Sequence, residues 1–217
     1  PGGMVLGRQM EMAIGSASEV IDALLEISRL DLAEVKVIRQ PMALGPLLEK
    51  IATRHRMGAE RKGLRLRVHA TAAWTTSDPT YLERMVDNLL GNALRYTTTG
   101  GVLLGVRPHK GRWRLEIWDT GIGIAAEHLP HLFEEFYQVG NPERASGSGL
   151  GLGLAIVARL GRVLEHPIGV VSRPGQGSMF SLSLPLCVPE RTILTQGVAN
   201  LPARVFVGLT DAAEAFN

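Results

Sequence analysis

The residues best suited to chemistry lie in one stretch, DPTYLERMVDNLLGNALRYT, from Asp78 to Thr97. If that stretch is helical, Asn88, Asn92 and Arg95 stand at i, i+4 and i+7, inside an arc of roughly 60°. Asn is a poor mid-helix residue because its side chain competes for backbone hydrogen bonds, so two of them one turn apart need a reason. Mg²⁺ is a hard cation that keeps several waters, so one amide oxygen together with phosphates can hold it. Asn92 is the choice for that metal ligand, with Asn88 beside it and Arg95 reaching a phosphate. Read alone, polar residues edging an amphipathic helix also describe a solvated face.

Two further groups give the stripe a purpose. Asp119 ends an apparent strand and is followed by Gly121 and Gly123. A carboxylate there can accept a hydrogen bond from an exocyclic amine, and the glycines let a flat ring lie against bare backbone. Adenine carries that amine at its 6-position where guanine carries an acceptor, so such a site chooses ATP over GTP. By itself DTGIG is equally the Asx turn of a plain hairpin. Gly147, Gly149, Gly151 and Gly153 then lie at every second residue and lead directly into a helical pattern. N–H groups at a helix N-terminus attract anions, and glycine lets phosphates approach them closely. The loop is neither a Walker sequence, lacking GK[ST], nor a dinucleotide fingerprint, since no strand immediately precedes it.

The elements that must position these groups are legible in outline. Asp78 is a candidate N-cap with Pro79 in the first turn, and Leu82, Met85, Val86, Leu89, Leu90, Ala93 and Tyr96 fall on one face of the helix that follows. Ala43 to Arg61 is a second helical pattern. Leu64 to Ala70 alternates as a strand, with Ala72 to Thr76 a further short one. Val102 to Arg107 and Arg112 to Trp118 form a hairpin, and Ile168 to Ser172 and Ser178 to Leu184 read as strands around Pro174-Gly175-Gln176-Gly177. Leu150 to Leu164 returns to helical spacing. Residues 1 to about 32 carry heptad-spaced Met10, Ala17 and Leu24, interleaved with Ile14, Ile21 and Ser28, a pattern of bundle pairing.

Composition removes several classes. The 217 residues carry a net charge of +2, 45% hydrophobic and 5% aromatic residues, so no nucleic-acid surface is indicated. No run of about 18 apolar residues occurs, which excludes a membrane-spanning helix. The single cysteine, Cys187, cannot form an internal disulfide, and no Cys/His cluster suggests zinc. The start, PGGMVLG, reads as a fragment of something longer.

NLLGNALRYT, DTGIGI, FEEF, GLGLGLAIV and GQGSMF stand in the order, and at about the spacing, of the N, G1, F, G2 and G3 boxes of sensor histidine kinases. The chain thereby resembles the catalytic ATP-binding domain of that family over residues 78 to 184. Upstream, LLEISRLDLAEV is similar to the end of the second dimerisation helix. The resemblance implies an α/β (α+β) two-layer sandwich, a mixed β-sheet covered on one face by helices (the Bergerat fold), preceded by a helical bundle segment. It implies Mg-ATP as cofactor, with Asn92 ligating Mg²⁺ and Asp119 binding adenine in a loop with Gly121 and Gly123. Gly149, Gly151 and Gly153 meet phosphates, and Arg144 touches a phosphate from a lid over residues 137 to 150.

The resemblance also divides the chain into residues 1–34 (end of the dimerisation domain), 35–187 (catalytic domain) and 188–217 (linker or start of a further domain). RVFV at Arg204 to Val207, followed by Asp211, faintly resembles the first strand of a receiver domain, as a hybrid kinase carries. Arg95 occupies a position commonly Lys, and Leu150 replaces a small hydroxyl residue. Related chaperone and gyrase ATPases place a water-activating Glu where this chain has Asn88, and an amide cannot be a base, so phosphoryl transfer to a His is favoured over hydrolysis. No histidine precedes His55, so the acceptor is expected outside this sequence. A homodimer through the helical segment, a response regulator or receiver domain as partner, and a cytoplasmic, bacterial setting are expected. The rivals are a non-catalytic nucleotide sensor, an ATPase and a Ser/Thr-directed kinase on the same fold.

Overall fold

In the computed structural model, residues 21, 24–25, 27–30, 36–69, 71–139 and 151–187 are described. The core grows from α1 (Leu44–Arg61), whose buried Leu44, Leu47, Leu48, Ile51, Ala52 and Ala59 follow helical spacing. It ends in a Schellman motif: Gly63 N–H donates to Glu60 O at 2.9 Å and Leu64 N–H to Ala59 O at 2.9 Å. Gly63 takes the left-handed conformation this needs, with φ of +68°. Ile27 and Leu30, from the helical residues upstream, join the same core.

α2 (Pro79–Tyr96) begins at Asp78, whose Oδ1 accepts from Thr80 N–H at 3.0 Å and Tyr81 N–H at 3.2 Å. Oδ2 accepts from Ile38 N–H at 2.9 Å, so the cap also fastens the segment that leads toward α1. A cap of this kind contributes about 1 kcal/mol. The expected apolar face is buried except at its end, where Leu94 is buried instead and Tyr96 is 40% exposed. The reason is position: Tyr96 is the last helical residue, where its carbonyl accepts from Ile122 N–H at 3.3 Å.

A five-stranded mixed sheet lies under the helices. Its strands are β2 (Arg65–Val68), β4 (Gly101–His109), β5 (Arg112–Asp119), β7 (Gly177–Leu184) and β6 (Ile168–Arg173), in that spatial order. The β2–β4 pair is parallel and the rest are antiparallel. The β4–β5 hairpin closes on Lys110 and Gly111, with φ of 49° and 72°, the two positive values of a type I′ turn. β1 (Gln40–Ala43) and β3 (Trp74–Ser77) form a separate antiparallel pair, so the short strand expected at 72–76 begins two residues later.

One face of the large sheet, with Val102, Leu104, Leu115, Ile117, Leu182 and Leu184 at or near zero exposure, meets α1, α2 and α3 (Gly153–Leu164). The result is the two-layer α/β sandwich with a mixed sheet. α3 approaches closely because Gly161 has no side chain: a Cβ there would stand 2.8 Å from Ile168 Cδ1. Most of the heptad pattern of residues 1 to 32, Arg144, Gly147, Gly149, Leu150 and the 188–217 segment lie outside the described residues. Among the described residues no helix is long and apolar enough to cross a membrane.

Candidate nucleotide site

A pocket opens between α2, the loop after β5, the 132–139 segment, the start of α3 and β7. Its walls include Asn92, Ala93, Tyr96, Asp119, Ile122, Gly123, Ile124, Leu132, Tyr137, Leu154, Ser178 and Phe180. Asp119 stands at the end of β5, paired in register with Ser178 of β7, and is 9% exposed. Gly121 N–H donates to its Oδ1 at 2.8 Å and Ser178 N–H to the same oxygen at 3.3 Å. Burial raises the carboxyl's pKa above the ordinary value, and those two N–H groups pull it part of the way back. Both bonds fall on one oxygen, so among the described residues Oδ2 is the one left for a ligand donor.

The loop after Asp119 is clamped from several sides. Gly175 N–H donates to Ile122 O at 2.7 Å and Ile124 N–H to Ser172 Oγ at 2.8 Å. Gly123, with φ of +67°, passes so near the β6–β7 turn that a Cβ would stand 1.9 Å from Arg173 O. A side chain at Gly121 would meet Tyr96 O at 2.4 Å. These glycines bring bare backbone against α2 and β6, and Gly123 forms part of the pocket wall.

The stripe on α2 divides. Asn92 is in the pocket wall. Asn88 donates from Nδ2 to Arg84 O at 2.9 Å, and its Oδ1 would lie 2.8 Å from a Cβ at Gly153, the first residue of α3. Arg95 is exposed and is not among the wall residues. Gly151 packs on the backbone of Phe136 and Tyr137, where a Cβ would stand 2.8 Å from Phe136 C. Two histidines meet Tyr137: His128 Nδ1 and Tyr137 OH share a 2.8 Å hydrogen bond, and the His131 ring lies 5.5 Å from that of Tyr137. Both histidines belong to a short 3₁₀ helix at Ala126–His131. His55 is half-buried on α1 and shares a 3.1 Å hydrogen bond with Asp87.

Ser172, Ser178 and Phe180 were not picked out as site residues from sequence. The register that sets Ser178 opposite Asp119 belongs to a pairing between strands far apart in the chain, although GQGSMF contains both Ser178 and Phe180.

The arrangement is a slot with mostly apolar walls, a buried carboxylate short of one partner, and amide and helix-N-terminal groups beside it. That defines a nucleotide-binding domain of two-layer α/β type. Residues 77–188 match the family described as histidine kinase-, DNA gyrase B-, and HSP90-like ATPase, and the chain belongs to it. It is 31% identical over 171 residues to the sensor histidine kinase RcsC of Escherichia coli (strain K12), covering 77% of this chain and 18% of that protein. It is 32% identical over 176 residues to the sensor protein TorS of the same strain, covering 78% of this chain and 19% of that protein. The crystal structure of full-length ShkA in complex with AMPPNP aligns with a TM-score of 0.69 at 31% identity, over 77% of this chain and 35% of that one. The chain thus spans under a fifth of the length of these curated relatives.

Proposed function

We propose that this chain is the catalytic part of a sensor histidine kinase of a two-component system, binding Mg-ATP and passing the γ-phosphoryl group to a histidine on a helical dimerisation segment. In this reading residues 35–187 are the catalytic domain, 1–34 the end of the dimerisation helices and 188–217 a linker or further domain. The homodimer, the response regulator and the cytoplasmic setting belong to the same proposal. The likeness to RcsC, TorS and the AMPPNP-bound ShkA structure supports it.

The residues fit the cofactor. Asp119 Oδ2 accepts the 6-amino group of adenine, while Ile122, Ile124, Leu132 and Phe180 exclude water from the ring. Asn92 would offer Mg²⁺ an amide oxygen, and Asn88, which lies beside the first residue of α3, would help to position the phosphates. Bound Mg-ATP supplies the electrophilic phosphorus and the charge neutralisation, and the protein contributes placement of an in-line attack. Gly149 and Arg95 are assigned to the phosphate end on their sequence pattern and the resemblance, and Arg144 on the resemblance alone.

The observation that separates transfer from hydrolysis is residue 88. Its amide Nδ2 donates to Arg84 O, and an amide cannot take a proton from water at neutral pH. Protein containing this chain together with its dimerisation helices, incubated with γ-labelled ATP and Mg²⁺, is expected to acquire acid-labile, alkali-stable label. Asn92→Ala should lower that labelling by roughly a hundredfold or more. Steady phosphate release without labelled protein, or acid-stable label, would overturn the assignment.

A further inference from the structure

Beside the Asp119 carboxylate lies a pair of serine hydroxyls on β6 and β7. Ser172 Oγ accepts from Ile124 N–H at 2.8 Å, donates to Gly177 O at 3.1 Å, and lies 2.9 Å from Ser178 Oγ. A serine hydroxyl has one proton and two lone pairs. When the Ser172 proton goes to Gly177 O, and one lone pair to Ile124, the remaining lone pair must receive the proton of Ser178. That is the arrangement in which every donor of the cluster meets an acceptor. In the reverse one, Ser172 spends its proton on Ser178, and the Ser178 proton, on a residue only 8% exposed, has no acceptor among the described contacts.

We infer that Ser172 is a positioning residue that fixes the polarity of the base pocket: by absorbing the Ser178 proton it makes Ser178 an acceptor, so that the pocket meets a purine 6-position with acceptors only. Ser178 and Asp119 both line the pocket, adjacent across the β5–β7 pair. A 6-aminopurine offers that end a donor. A 6-oxopurine offers it an acceptor, and a freely turning hydroxyl at Ser178 would accommodate the oxo group by donating to it. Ser172 therefore acts against the wrong base through Ser178, without touching the ligand. Its bond to Ile124 also ties the Asp119 loop to β6, so the loop and the hydroxyl direction share one anchor.

The inference rests on the reading of the pocket as an ATP site. Its test is equilibrium binding of ATP and of inosine triphosphate, the 6-oxo analogue, to the full chain, with no phosphoryl transfer required. Ser172→Ala should lower the ATP-over-inosine preference by roughly tenfold, and Ser172→Thr, which keeps the hydroxyl on a strand, should restore it. In a Ser178→Ala background the Ser172 substitution should leave the preference unchanged, because the group it orients is gone. A Ser172→Ala protein that loses affinity for both nucleotides equally would mean a loop anchor alone and overturn the inference. Failure of the unsubstituted chain to bind either nucleotide would overturn the function proposed above, and this inference with it.

Discussion

Strand β5 carries two carboxylates three residues apart, on opposite faces of the sheet, and the protein treats them differently. Glu116 is 6% exposed, yet it is saturated: Arg107 Nε donates to Oε1 at 2.8 Å, Arg114 Nε lies 3.0 Å from the same oxygen, and Trp118 Nε1 donates to Oε2 at 3.0 Å. Asp119 is nearly as buried, but among the described residues it receives only two backbone N–H groups, both on Oδ1, and burial raises its pKa. A carboxylate that completes its own bonds holds a sheet together. One left short in a pocket is held ready for a donor that comes from outside.

The strongest way to break this contrast is to neutralise each carboxylate in turn. Asp119→Asn should lower ATP affinity roughly a hundredfold, because the replacement can turn an NH₂ toward the amine it must recognise. It should not lower the melting temperature. A raised folded-state pKa means that ionised Asp119 costs stability at pH values above it, and the amide removes that cost. Glu116→Gln should do the converse, leaving ATP affinity within about twofold while destabilising the domain by about 1–2 kcal/mol, read by denaturant melts. Loss of ATP affinity in the Glu116 variant would erase the distinction.

His166 sharpens the comparison, since it shows that an unmet buried group is not by itself a site. It is 2% exposed, bonds Ser77 Oγ through Nε2 at 2.8 Å, and leaves Nδ1 without a partner among the described residues, away from the pocket. Burial lowers its pKa to about 4, with nearby Arg112 and Arg39 acting in the same direction. The unfolded chain therefore binds the proton more readily. Stability is full above the unfolded value near 6.5 and falls as pH drops toward 4, by about 3 kcal/mol in all. Denaturant melts across that range should show the loss, and His166→Gln should remove the part that depends on this ring. The smallest effect is expected at the exposed ion pairs joining α1 and α2. Arg54→Ala, which breaks contacts to Glu83 and Asp87, should cost about 0.5–1 kcal/mol and leave nucleotide affinity unchanged.

How legible this was in the sequence depended on range. α2, its Asp78 cap and its buried face follow from local spacing, and only the last position, Tyr96, departed, because the helix ends there and turns toward the pocket. The carboxylate of Asp119 and the glycines at 121 and 123 were visible as the local pattern DTGIG, although the atoms that crowd those glycines, Tyr96 O and Arg173 O, are remote in sequence. The division of the stripe was not. Whether Asn88, Asn92 and Arg95 face one ligand depends on where α3 and the 132–139 segment pack, which no helical period encodes. The serine pair was hidden for the same reason, since Ser172 meets Ser178 through the β6–β7 register and meets Ile124 only where the chain returns 48 residues later. The contrast between Glu116 and Asp119 likewise needed the third dimension, because alternation assigns the two faces without saying which face leaves a carboxylate unfilled.

The most direct measurement is calorimetric titration of ATP and of GTP into the chain and into its Asp119→Asn variant, at a pH where both are fully folded. A pocket built around an unfilled carboxylate predicts binding of ATP well above GTP in the unsubstituted chain, and near loss of ATP binding in a variant that melts no lower. Equal affinity for the two nucleotides, or ATP binding untouched by the substitution, would show that Asp119 is not the group reading the base.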